Sequence, residues 1–275
     1  MEPTSPDYDL WQQMSARWDR RRALLWESTR EISEWLVDRL DPRPGQTILE
    51  LAAGTGETGF LAAAHLGPEG RLISSDRSPK MVEAARRGAS ELGLANVQFR
   101  VIDAERIELG DAAVDGVLSR FGYLLKGDPP PALREARRVL RPGGRLAFSV
   151  WAGRERNPWM TVPAAVMVEL GHMPARVPDA GDPFARRSAA GVAQLLSEAG
   201  FAEPELEELP MSYRFADADE LWAFVSELRG PIALAIGDLG DSDREAVRAE
   251  IEARATATAG GGFALAGVSL NAVTT

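Results

Sequence analysis

A chain of 275 residues with 45% hydrophobic content is long enough to bury one large α/β core. Zero cysteines and only two histidines, His65 and His172, exclude disulfides, thiolate zinc sites and thiol nucleophiles and leave too few ligands for a histidine metal centre, so no metal is expected. With 31 basic against 41 acidic residues, the net charge of −10 opposes the nucleic acid backbone and favours a small-molecule partner; the lack of a signal peptide pattern and of about 18 uninterrupted apolar residues predicts a cytoplasmic protein.

Residues 8–40 carry Tyr8, Trp11, Trp18, Leu25, Trp26, Ile32, Trp35 and Leu36, mostly at steps compatible with one helical face. They predict an N-terminal helical cap over 1–40. Asp41-Pro42-Arg43-Pro44-Gly45 breaks that pattern, and the apolar run Thr47 to Leu51 reads as a first buried strand. The chain then alternates: helix 57–66, strand 71–76, helix 79–92, strand 97–103, strand 113–119, helix 131–140 and, after a Pro-Gly-Gly turn, strand 145–151. Such alternation implies right-handed crossovers and a parallel sheet, with ligands at the carboxyl ends of the strands.

Residues 152–187 turn rich in Gly, Pro, Arg and Met and read as an insertion. A helix from Ser188 to Ala199 closed by Gly200, a strand 205–209, helices 217–228 and 241–256 and a final strand 263–273 are expected beyond it. Three units follow from this reading: a helical cap (1–40), a Rossmann-like ligand-binding core (41–152) and substrate-side insertions with the last strands (153–275). The arginine pairs Arg86-Arg87, Arg137-Arg138 and Arg186-Arg187 read as solvated surface.

The sharpest feature is Glu50-Leu51-Ala52-Ala53-Gly54-Thr55-Gly56-Glu57-Thr58-Gly59, a strand ending in an acid and running into a glycine-rich turn and a helix. The helix-start amides can hold a pyrophosphate or an amino-acid carboxylate. Taken literally, Gly54-x-Gly56-x-x-Gly59 with Asp76 downstream matches the dinucleotide fingerprint, so an NAD(P)-dependent oxidoreductase is one reading. Against it stands Glu50, whose carboxylate repels a pyrophosphate and attracts a cation. Asp103-Ala104-Glu105 and Ser119-Arg120-Phe121-Gly122 place further polar groups at the ends of the third and fourth strands.

With RVLRPGGRL leading into the fifth strand, the motifs ILELAAGTG, SSDRSPKMVEAAR, VIDAE and SRFG make residues 47–151 resemble the class I methyltransferases that use S-adenosylmethionine (SAM). The likeness is strongest to the group of the ubiquinone/menaquinone-biosynthesis C-methyltransferases. It implies a Rossmann-like, doubly wound sheet of seven strands with the last antiparallel. By the same resemblance Glu50, Ala52, Gly54, Thr55 and Gly56 line the methionine part of SAM, and Asp76 takes the ribose hydroxyls. Arg77 and Met81 flank the adenine, Asp103, Ala104 and Glu105 cover its other edge, and Ser119, Arg120 and Phe121 lie beneath. Ala52 departs from the pattern, where many relatives have glycine. Trp151, Asn157 and Trp159 are candidates for acceptor contacts or packing. The expected function is methyl transfer to a small-molecule O, C or N acceptor, with a non-catalytic SAM-binding protein as a further alternative; no catalytic base can be named.

Overall fold

The computed structural model describes residues 16–122, 130–175, 188–228 and 230–275. Tyr8, Trp11, Arg186 and Arg187 of the sequence reading lie outside them. A helical run at 16–20 leads into α1 (Arg22–Leu40). β1 (Thr47–Glu50), α2 (Glu57–Leu66), β2 (Arg71–Asp76), α3 (Pro79–Glu91) and β3 (Val97–Val101) come next. They are followed by β4 (Val114–Arg120), α4 (Pro131–Val139) and β5 (Leu140–Trp151).

The sheet runs β3-β2-β1-β4-β5-β8-β6, where β6 is Glu205–Phe215 and β8 is Phe263–Thr274; the two-residue β7 (Thr256–Ala257) pairs with β8 off that path. Pairing is parallel from β3 to β5, and β8 runs antiparallel to both β5 and β6. Strand order reverses between β1 and β4, so the crevice above their carboxyl ends is where a ligand of such a sheet belongs.

Alternation along each strand divides the core in two. Ile48, Leu72, Leu118 and Ala147 face one side, with Leu36 of α1, Phe60 of α2 and Ala85 of α3. Leu49, Ile73, Val117 and Phe148 face the other, with Leu133 of α4 and Leu195 of α6 (Ala189–Glu198). The first side also takes α5 (Pro158–Glu169), α7 (Ala218–Leu228), α8 (Pro231–Gly237) and α9 (Asp241–Arg254).

Three differences from the sequence reading have physical causes. β5 begins at Leu140, because Leu140 pairs with Val114 and the Pro-Gly-Gly stretch is taken up as a shift of register before Arg145 meets Gly116. β6 continues through Pro210 to Phe215, since it is the edge strand and a proline there forfeits no ladder bond on its open side. α5 went unread because it is apolar around most of its girth, with no polar stripe to mark a period: Trp159, Pro163, Val166 and Met167 are all buried.

Candidate functional site

The crevice is built around two buried carboxylates. Glu50 ends β1 only 2% exposed; its Oε1 accepts from the Gly59 amide at 2.7 Å and its Oε2 from the Ser74 hydroxyl at 3.2 Å. The side chain is thus turned onto the start of α2, and a Cβ on Gly59 would collide with it, which explains the third glycine without a pyrophosphate. Burial pushes the Glu50 carboxyl up to about 8, against the pull of those two hydrogen bonds. Asp76 ends β2. Its Oδ2 accepts from the Gly54 amide at 3.0 Å and its Oδ1 from the Ser78 amide at 2.8 Å, and burial raises its pKa. Ser78 caps α3, accepting from the Met81 amide.

Between the two acids the loop makes three left-handed steps, at Ala52 (φ 52°), Gly54 (φ 58°) and Gly56 (φ 93°). A Cβ on Gly56 would run into the Phe60 ring, whereas one on Gly54 would meet nothing within 4 Å, so the loop is open on that side. Ala52 carries a Cβ in a region that suits glycine. Ala52→Gly is expected to stabilise the protein by about 1 kcal/mol, after the extra freedom of glycine in the unfolded chain is set against the relieved strain; a denaturant midpoint at or below that of the parent would refute this.

The remaining candidates are spread along the crevice. Met81 is buried, Arg77 and Ala104 are half-buried, and Asp103 and Glu105 are exposed, with the Glu105 amide donating to Asp103 Oδ1 at 3.0 Å. Ser119 is fully buried, and its Oγ has no hydrogen-bond partner among the described residues. Arg120 reaches the Thr29 hydroxyl of α1. Phe121, at φ 58°, is held by Ser149, whose carbonyl and hydroxyl accept from its amide, and its ring stacks on Trp151 at 3.6 Å.

Asn157 and Trp159 are packing residues. Asn157 is fully buried, its Nδ2 donates to the carbonyls of Ala152, Gly153 and Val268, and its Oδ1 accepts from the Val268 amide and Trp159 Nε1. His65 is exposed. Of the arginine pairs, Arg86, Arg87 and Arg138 are tied into ion pairs with Glu83, Asp19 and Glu135.

Sequence reading missed how α1 is fastened to this crevice. Arg22 lies 3.5 Å from Glu57, which also accepts from the Thr55 hydroxyl; Ser33 shares a hydrogen bond with Thr58 at 3.0 Å; and Thr29 meets Arg120. Arg22, Thr29 and Ser33 recur at helical steps of seven and four, a polar stripe beside the aromatic one that drew attention first.

The family profile described as "Methyltransferase domain" matches residues 42–170. The chain is 30% identical over 250 residues to nocamycin O-methyltransferase of Saccharothrix syringae, covering 86% of this chain and 87% of that protein. It belongs to the class I SAM-dependent methyltransferases. S-adenosylmethionine is the cofactor that this membership assigns to it. The chain is also 40% identical over 111 residues to the ubiquinone/menaquinone biosynthesis C-methyltransferase of Acidiphilium cryptum, covering 40% of this chain and 44% of that one. Its fold matches a putative methyltransferase of Bacillus halodurans with a TM-score of 0.59 at 18% identity, over 88% of this chain and 97% of the other. Against several curated relatives the chain spans only 27 to 53% of their length. No helix among the described residues is long and apolar enough to cross a membrane.

Proposed function

We propose that this protein transfers the methyl group of SAM to a small-molecule acceptor by in-line displacement. The observation that carries the reading is the crevice itself: buried acids close β1 and β2 on either side of a glycine loop whose open side faces out at Gly54. A cationic, amino-acid-like ligand fits that donor set, and a pyrophosphate does not. The orphaned Ser119 hydroxyl supplies a further polar atom for a bound molecule. Nocamycin O-methyltransferase and the aklanonic acid methyltransferase among the relatives are named for small organic acceptors, which supports an acceptor of that size here.

In this reading the loop 52–56 and Glu50 hold the methionine portion, and Asp76 takes the ribose hydroxyls once the Gly54 amide yields its oxygen. Arg77, Met81, Asp103, Ala104 and Glu105 surround the base, and Ser119 and Phe121 form the floor. When bound, the cofactor supplies an electrophilic methyl on a sulfonium, so the chain need only align the acceptor with it and exclude water. α1 covers the crevice through Arg22, Thr29 and Ser33, and the stacked Phe121 and Trp151 make one wall dry. No cysteine is available for thiol chemistry.

Calorimetric titration with SAM, S-adenosylhomocysteine and NADH in parallel tests the reading. Micromolar binding of the first two and none of NADH is expected, followed by transfer of labelled methyl to a member of an acceptor library. Binding of NADH alone would make the protein an oxidoreductase, and SAM binding with no transfer to any acceptor would leave a SAM-binding protein without catalysis.

A further inference from the structure

Arg120 closes β4 two residues beyond Leu118, on the sheet face that Glu50 shares through its pairing with Leu118. Arg120 is part-buried, and desolvation by the surrounding protein lowers its pKa. The guanidinium touches one neutral partner, the Thr29 hydroxyl, and no carboxylate of the described residues comes within ion-pair distance. Glu50 and Glu57 lie in electrostatic reach only. Both are already held: Glu50 by Gly59 and Ser74, Glu57 by Thr55 and Arg22. Arg138, Arg248 and Arg254, by contrast, each engage two carboxylates at the surface. In an acid-rich chain, a part-buried cation with no counterion among the described residues is a place where an anion of a ligand can be received.

What surrounds it indicates the rest of the ligand. The Arg120 guanidinium carbon stands 6.0 Å from the centre of the Phe121 ring, which is stacked on Trp151. Trp151 leads at 4.6 Å to Trp159, and Trp159 at 5.0 Å to Tyr213 of β6, whose phenol is itself in electrostatic reach of Arg120. Phe121 and Trp151 are both part-exposed, so the cation sits at the head of an aromatic wall that a ligand can touch.

We propose that Arg120, its guanidinium held by the Thr29 hydroxyl that itself donates to the Leu25 carbonyl, receives a carboxylate carried by the methyl acceptor, and that the acceptor is an aromatic acid whose rings lie along Phe121 and Trp151. The planar guanidinium fork matches a carboxylate in two hydrogen bonds, and the wall supplies apolar stacking for the body behind it. This rests on the methyl-transfer reading and moves Arg120 from the cofactor's floor to the acceptor's. The cofactor's own α-carboxylate is the other anion of the crevice. The acceptor is favoured because Trp151, Trp159 and Tyr213, which continue the wall beyond Phe121, belong to β5, α5 and β6, whereas the glycine loop follows β1 and Asp76 ends β2.

The test uses the protein saturated with S-adenosylhomocysteine and titrated with benzoate, 2-naphthoate, anthracene-2-carboxylate and anthraquinone-2-carboxylate, each beside its neutral carboxamide. The acids are expected to bind about tenfold or more tightly than the amides where the rings fit. Arg120→Gln is expected to level that preference, and Arg120→Lys, which keeps the charge and loses the fork, to retain part of it and to carry the test should the glutamine variant not fold. In parallel, the ratio of affinities for SAM and decarboxylated SAM is expected to be the same in the parent and in Arg120→Gln. Absence of any acid preference across the series in the parent would overturn the proposal, as would loss of the SAM to decarboxylated-SAM ratio in Arg120→Gln. Failure of the parent to bind S-adenosylhomocysteine at all would instead strike the methyl-transfer reading.

Discussion

Glu50→Gln is expected to flatten the dependence of stability on pH between about 4.5 and 8. The carboxyl is raised to about 8 by burial, from an ordinary 4.5 in the unfolded chain. Within that window the folded protein holds a proton that the unfolded chain has lost. The unfolded state binds fewer protons, so stability falls as pH rises, at about 1.4 kcal/mol per unit, and levels off above the folded pKa. Glutamine is isosteric and neutral throughout; its Oε1 can still accept from Gly59, and its amide can donate to Ser74 Oγ. The variant should match the parent near pH 4.5 and exceed it by about 5 kcal/mol at pH 9. Chemical denaturation at pH 5, 7 and 9 reads this directly, and parallel profiles for the two proteins would show that Glu50 is charged in the folded state. A cationic cofactor beside Glu50 should also expel its proton, so the heat of SAM binding at pH 7 is expected to depend on the ionisation enthalpy of the buffer in the parent and not in Glu50→Gln.

The second large effect is expected at Asp76. Its carboxylate accepts from Gly54 and Ser78, and charge-assisted hydrogen bonds of this kind to a ligand hydroxyl contribute about 1 to 3 kcal/mol. Asp76→Ala should therefore weaken SAM binding by roughly ten- to a hundredfold. It also leaves the amides of Gly54 and Ser78 without their acceptor, so the loop and the first turn of α3 should show faster amide hydrogen exchange. Asp76→Asn keeps one acceptor oxygen and should lie between the two. An unchanged dissociation constant in folded Asp76→Ala would remove Asp76 from the cofactor site.

Much of the frame was legible because its signals are local. The β-branched and apolar runs of β1 and β2, the proline at the first position of α3 and the serine before it each act within one turn of chain, and those elements fall where the sequence places them. The positions of Glu50 and Asp76 at strand ends were legible for the same reason. The partners of Glu50 were not. That its carboxylate would turn onto Gly59 and Ser74 depends on how closely α2 packs on the sheet, a matter of tertiary fit. Asn157 shows the same limit: next to two tryptophans it reads equally as a ligand contact or as packing, and only the fold shows its amide knitting the end of β5 to Val268, far along the chain. The fastening of α1 to the crevice escaped because hydrophobic periodicity registers the aromatic face and is silent about Arg22, Thr29 and Ser33 beside it.

The position of β8 bears on how such a chain is made. β5 ends at Trp151, β8 begins at Phe263, and β8 is the strand that covers the β5 edge and carries β6. A ribosome adding about 5 to 20 residues per second takes roughly 5 to 20 s over the intervening stretch. For that time β1 to β5 can assemble, but β5 presents an open edge of the kind that recruits other strands. A nascent chain of this topology thus passes through an interval in which chaperone occupancy, more than final stability, decides its yield.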